Sequence, residues 1–293
     1  AEFIERQQTK LEYFPWGFPE LDKRLYIGPG KFVILGGYPS DGKTALALSM
    51  AWTMAGKHKV GFFSLETDDG TLMERLMARV TLISMGRIKR REMDEKDFAS
   101  VTEHTHQVIS RQLEIVLAAG MTVADIFAAA QSHRYEVIYI DYVQLIRGDR
   151  QRGRTEEITR ISVDLHTMAQ STGVTVVGLS QLTRPEKGQK TQRAPRMSDL
   201  RESGQLEQDA DAVMLLYRET SDDAASRRIL SIEKNKEGEV GMIHLSFDGD
   251  TQTFRRSYNQ EPFLKPKRKE PEYGQVQFEE LPKPDPDIPF KEK

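Results

Sequence analysis

Residues 31–55 read KFVILGGYPSDGKTALALSMAWTMA, and the order of the parts in this stretch decides the fold. An apolar run, Lys31–Leu35, breaks into Gly37-Tyr38-Pro39-Ser40-Asp41-Gly42-Lys43-Thr44, and a helix-forming segment follows at Thr44–Ala55. The loop fits GxxxxGK[ST] in full, in the strand–loop–helix setting that gives the motif its chemistry. Its glycines let the backbone wrap tightly, so that several N–H groups and a helix N-terminus face a phosphate. Lys43 is placed to reach the β- and γ-phosphates of ATP and Thr44 to hold Mg²⁺.

Outward from this loop, short apolar runs alternate with amphipathic stretches. The runs are Val60–Leu65, Leu113–Leu117, Val137–Asp141, Val174–Ser180 and Ala212–Tyr217. Helices are predicted over Thr71–Gly86, Asp94–Gln112, Thr122–Arg134 and Thr155–Ser171. Buried runs separated by helices imply an α/β fold with a mostly parallel central sheet covered on both faces. Later runs at Ile229–Lys234, Met242–Phe247 and Thr253–Arg256 are separated by turn signals such as Asp248-Gly249-Asp250. They predict antiparallel strands at the C-terminal edge. Residues 1–14 read as a linker and 15–258 as one domain. Residues 259–293 hold seven of the thirteen prolines among charges, the composition of a disordered tail.

Composition narrows the chemistry. The 293 residues are 38% hydrophobic, enough for a sizeable core, and carry a net charge of −3, so any nucleic-acid surface must be local. The absence of cysteine excludes disulfides, thiolate zinc sites and cysteine nucleophiles, and suits a reducing cytoplasm. No run approaches the ~18 apolar residues of a membrane helix. The start AEFIERQQTK is no signal peptide and lacks an initiator Met, as a fragment or processed product would. His104 and His106 are set aside as metal ligands because no carboxylate pattern accompanies them.

Three polar residues close buried strands. Asp141 ends VIYID, at the ligand edge of such a sheet, where beside the loop it organises Mg²⁺. Glu66 closes FFSLE and is a candidate base for polarising water. Gln181 follows VVGLS, where an amide can bond the γ-phosphate and report its loss. Each alone is weak evidence, but all three converge on one loop.

The stretches FPELDKRL, GYPSDGKTALAL, FFSLE, VIYIDYVQLI, VVGLSQLTR and DLRESGQLEQDADAVMLLYR, in this order, resemble the DnaB-type replicative helicases of bacteria and phages. The resemblance spans Gly17 to Arg256 and implies a RecA-like P-loop fold. It further implies DNA unwinding driven by ATP with 5′-to-3′ polarity, a ring of six with nucleotide between subunits, and single-stranded DNA in the channel. Primase and a helicase loader are implied partners. By position, Lys43 and Thr44 bind nucleotide and Mg²⁺, Glu66 is the base, Asp141 organises the metal and Gln181 senses the γ-phosphate. Arg218 and Phe247 stand where similar proteins flank the adenine.

One stretch departs from the family. Where KxR is usual, and its arginine enters the neighbouring subunit's site, the chain reads Lys234-Asn235-Lys236. Lysine neutralises phosphate charge without the rigid fork of arginine. A lysine pair resembles the RecA recombinases, so strand exchange stays open as a rival reading. A DNA-dependent ATP switch or loader that does not translocate is another. Two loops concentrate positive charge: Arg147–Arg154 holds four arginines and one aspartate, and Arg184–Arg201 holds six Lys/Arg against two acids. Arg147, Arg150, Arg152 and Arg184 are candidates for gripping a phosphate backbone. The family match adds Arg201, Glu202 and Gly204. Few aromatics accompany them, which predicts weak sequence preference and strong salt dependence.

Overall fold

The computed structural model describes residues 12–149, 153–182, 194–200, 204–219 and 227–257. Among these residues the strands are β1 (Phe32–Gly37), β2 (Val60–Ser64), β3 (Leu113–Leu117), β4 (Val137–Asp141), β5 (Thr175–Gln181), β6 (Ala212–Arg218), β7 (Arg228–Asn235), β8 (Gly241–Asp248) and β9 (Thr253–Arg256). They form one nine-stranded sheet in the order β3-β2-β4-β5-β1-β6-β7-β8-β9. Pairing is parallel from β3 across to β6 and antiparallel from β6 to β9.

The helices are α1 (Pro19–Asp22), α2 (Lys43–Met54), α3 (Asp69–Thr81), α4 (Met85–Arg90), α5 (Glu95–Ser110), α6 (Val123–His133), α7 (Arg154–Thr172) and α8 (Gly204–Asp209). Alternate residues of one strand feed opposite cores, as the strand period of two requires. On β1, Val33 and Leu35 pack with Leu46 and Met50 of α2, while Phe32 and Ile34 pack with Leu165 of α7 and other residues of the second face. Both faces are therefore covered, which is why the central runs are apolar without alternation. No helix among the described residues is long and apolar enough to cross a membrane.

Two boundaries differ from the sequence reading. The helix expected over Thr71–Gly86 is two helices. Asp68 caps α3 by accepting from the Thr71 amide at 2.8 Å. Leu82 then turns left-handed at φ 61°, and Ser84 caps α4. The apolar spacing runs on through the break, which is why periodicity alone missed it. The domain also begins before residue 15: Phe14 is buried, and its amide donates to the Ile27 carbonyl at 2.9 Å.

The entry segment is part of the core. Trp16 is fully buried, and its indole N–H donates to the Leu25 carbonyl at 3.1 Å. Trp16→Ala is expected to cost about 3–5 kcal/mol, read as a lower denaturant midpoint at unchanged slope.

Candidate active site

The register of β1 places the loop. Gly37 pairs with Gln181 of β5 on one side and Leu216 of β6 on the other, so the chain leaves the carboxyl edge between two strands. One strand further along, Ser64 of β2 pairs with Asp141 of β4. The Ser64 hydroxyl donates to the Thr67 carbonyl at 2.6 Å, and this bend sets Glu66 at the same edge. A cleft of about 410 Å³ results, lined by Lys43, Thr44, Glu66, Asp141, Gln181 and Phe247 among others.

Inside the loop, Gly42 takes φ 96° just before α2. A Cβ there would lie 3.0 Å from Phe254 and 3.4 Å from Phe247, so both conformation and packing require glycine. The Thr44 hydroxyl donates to Asp141 Oδ2 at 2.7 Å. Lys43 Nζ donates to the Ser180 carbonyl at 3.2 Å and lies 5.5 Å from the Tyr142 ring centroid. Burial lowers the Lys43 ammonium below the ordinary lysine value, while Asp141, Glu66 and Asp41 oppose the shift. Burial raises Asp141, against the pull of the Thr44 hydroxyl and the Lys43 cation.

Asp141 therefore costs stability when ionised and unliganded. A raised carboxyl contributes stability that is complete below its unfolded value, near 3.8, and is lost as pH rises through the folded value. At neutral pH, Asp141→Asn is expected to melt at the same temperature as wild type or up to about 4 °C higher without nucleotide. The stabilisation by Mg²⁺-ATP should vanish, as differential scanning fluorimetry would show.

Gln144, Arg75, Tyr142, Gln252 and Arg228, which sequence reading missed, join Phe247 and Arg218, which it named, around the loop. Gln144 is buried; its amide donates to the Ser180 hydroxyl at 2.7 Å, and its Oε1 accepts from the Gln181 amide at 3.4 Å. Arg75, Tyr142 and Gln252 also line the cleft. Arg228, 2% exposed, donates from Nε to the Asp41 carbonyl at 3.0 Å and lies 5.4 Å from the Phe247 ring centroid. The Phe247 and Phe254 rings stack with centroids 4.4 Å apart. Arg218 lies at the end of β6, 2.9 Å from Asp41 Oδ1, and donates to the Ser40 carbonyl.

Of the remaining candidates, Lys234, Lys236, Arg147 and Gly204 do not line this cleft. Lys234 pairs across from Val213 at the end of β7 opposite Arg228, about 20 Å along the strand. It donates to the carbonyls of Glu207 and Gln208, and Lys236 pairs with Asp211 at 2.9 Å. Neither is near its own chain's loop, so a role in hydrolysis needs a second copy. Arg147 is exposed, its amide donating to the Met121 carbonyl, and Gly204 is exposed at the start of α8. Arg154, at the end of the first basic loop, is tied back to Glu157 at 2.7 Å and to the Gln144 carbonyl. Arg150, Arg152, Arg184, Arg201, Glu202 and residues 259–293 lie outside the described residues.

Residues 14–256 match the family model for the DnaB-like helicase C terminal domain. A probable plasmid replicative DNA helicase of Chlamydia trachomatis is 35% identical over 259 residues, covering 85% of this chain and 56% of the relative. The chain thus spans little more than half of that curated relative. One solved structure, an isolated ATPase domain, superposes with TM-score 0.80 at 33% identity, over 87% of this chain and 95% of that one. A DnaB-like replicative helicase, solved in a study of its interactions with primase, gives TM-score 0.80 at 32% identity, over 86% of this chain and 66% of that one.

Proposed function

Since the chain belongs to the family of DnaB-like helicase C-terminal domains, we propose that it is the motor of a replicative DNA helicase, which hydrolyses ATP to move along single-stranded DNA and unwind duplex. The observation that carries this is the convergence of Lys43, Thr44, Glu66, Asp141 and Gln181 on one cleft at the sheet's carboxyl edge. Among the described residues no group of three or more His, Asp or Glu forms a metal cage. The Thr44–Asp141 pair instead suits Mg²⁺ that arrives with phosphate and keeps part of its water. Bound there, Mg²⁺ would neutralise charge on the β- and γ-phosphates.

In this reading Lys43 leaves the Ser180 carbonyl for phosphate oxygens, and amides of residues 37–44 cradle the triphosphate. Glu66 holds and polarises the attacking water. Gln181 meets the γ-phosphate, and its backbone contact with Gln144 leads toward the basic loop that starts at Arg147. Phe247 lines the cleft on the side where the base would lie. Lys234 and Lys236, remote from their own site, act on the site of a neighbour in a homo-oligomeric, hexameric ring. Arg147, Arg150, Arg152, Arg184, Arg201, Glu202 and Gly204 grip the DNA backbone. Primase and a loader are partners by the family's chemistry, and the setting is cytoplasmic.

The lysine pair also favours a second reading, a strand-exchange ATPase. A forked duplex with a 5′ tail separates the two. Strand separation that requires ATP supports the helicase, whereas pairing of homologous strands without unwinding supports the rival.

A further inference from the structure

Asp41 puts a carboxylate into a loop whose task, on the reading above, is to receive a triphosphate. The residue is 5% exposed, and its field reaches Lys43 two residues on. Arg218 Nε lies 2.9 Å from Asp41 Oδ1, and Nη2 of the same guanidinium donates to the Ser40 carbonyl at 2.8 Å. Arg228 holds the Asp41 carbonyl from the adjacent strand. Arg218 and Arg228 are register partners of β6 and β7, so the sheet delivers both cations to this loop. The cleft itself is lined by Tyr38, Ser40 and Phe247, among others, but not by Arg218.

An uncompensated carboxylate in this position would repel a polyanion across a partly buried, weakly screening medium. We infer that Arg218 acts on nucleotide binding through Asp41: its guanidinium neutralises the loop carboxylate and fixes the Ser40–Asp41 backbone, so that the loop accepts a triphosphate. Arg218 is then a positioning residue, and its effect falls on the phosphates and not on the base. The inference rests on the assignment of residues 37–44 as the phosphate site.

Two ligands separate these roles: ATP, and inorganic tripolyphosphate, which has no base. Their binding to the full chain is measured by competition with a fluorescent ATP analogue, for wild type, Asp41→Asn, Arg218→Gln and the double variant. Arg218→Gln is expected to weaken both ligands by at least about tenfold. Asp41→Asn leaves the Arg218 charge without its carboxylate behind the loop and should tighten both by about two- to fivefold. The double variant should return to within about threefold of wild type.

Loss of ATP binding with tripolyphosphate unaffected would assign Arg218 to the base and overturn the inference. A double variant as weak as Arg218→Gln would do the same. Should Arg218→Gln not fold, Asp41→Asn decides alone: tighter tripolyphosphate binding supports the inference, and equal or weaker binding overturns it. Wild type that binds neither ligand would remove the phosphate-site assignment together with the inference.

Discussion

Lys43→Ala is expected to lower ATP turnover by at least about a hundredfold, the scale of removing one preorganised charge donor from a transition state. The ammonium is buried near Asp141 and Glu66 at the root of the loop, and among the described cleft residues only Arg75 brings a second full cation. Without it the carboxylates face the triphosphate directly. ATP affinity should fall as well, because the contact is made in the ground state too. Steady-state turnover and nucleotide titration together check this. A variant retaining a third of wild-type turnover would mean that the cleft is not where hydrolysis occurs.

Glu66→Gln should behave differently. Glu66 is exposed at the edge of the cleft, so its replacement leaves the fold and the melting temperature essentially unchanged. Turnover is expected to fall by about 10²–10⁴, the usual contribution of a general base. ATP affinity should hold or rise, since a negative charge near the phosphates has been removed. This split, with kcat lost and binding kept, distinguishes a base from a binding residue. Equal loss of affinity and turnover would place Glu66 in binding, and another group would have to position the water.

The contrast between these variants shows what the sequence made legible. Lys43 and Thr44 were readable from the loop motif, Asp141 and Gln181 because a parallel strand delivers its last residue to one known edge, and Glu66 because it follows the end of β2 at Ser64 by two positions. The six parallel strands and the antiparallel edge followed from run length and turn chemistry for the same local reason. What stayed hidden depends on long-range register. Nothing near Arg228 in the sequence says that a shift-containing β6–β7 pairing will bury it against Asp41. Gln144 sits in a legible string, yet its bond to Ser180 joins residues 36 positions apart. The remoteness of Lys234 from its own loop comes from the reversed direction of β7, which periodicity does not reveal. The break at Leu82 was missed because a leucine in the left-handed region runs against local preference.

ATP turnover of the wild-type chain with and without single-stranded DNA, at low and moderate salt, decides whether hydrolysis in this cleft is coupled to DNA. A several-fold rise with DNA that fades as salt increases is expected, because Lys and Arg hold a phosphate backbone. Turnover indifferent to DNA at every salt concentration would contradict that coupling.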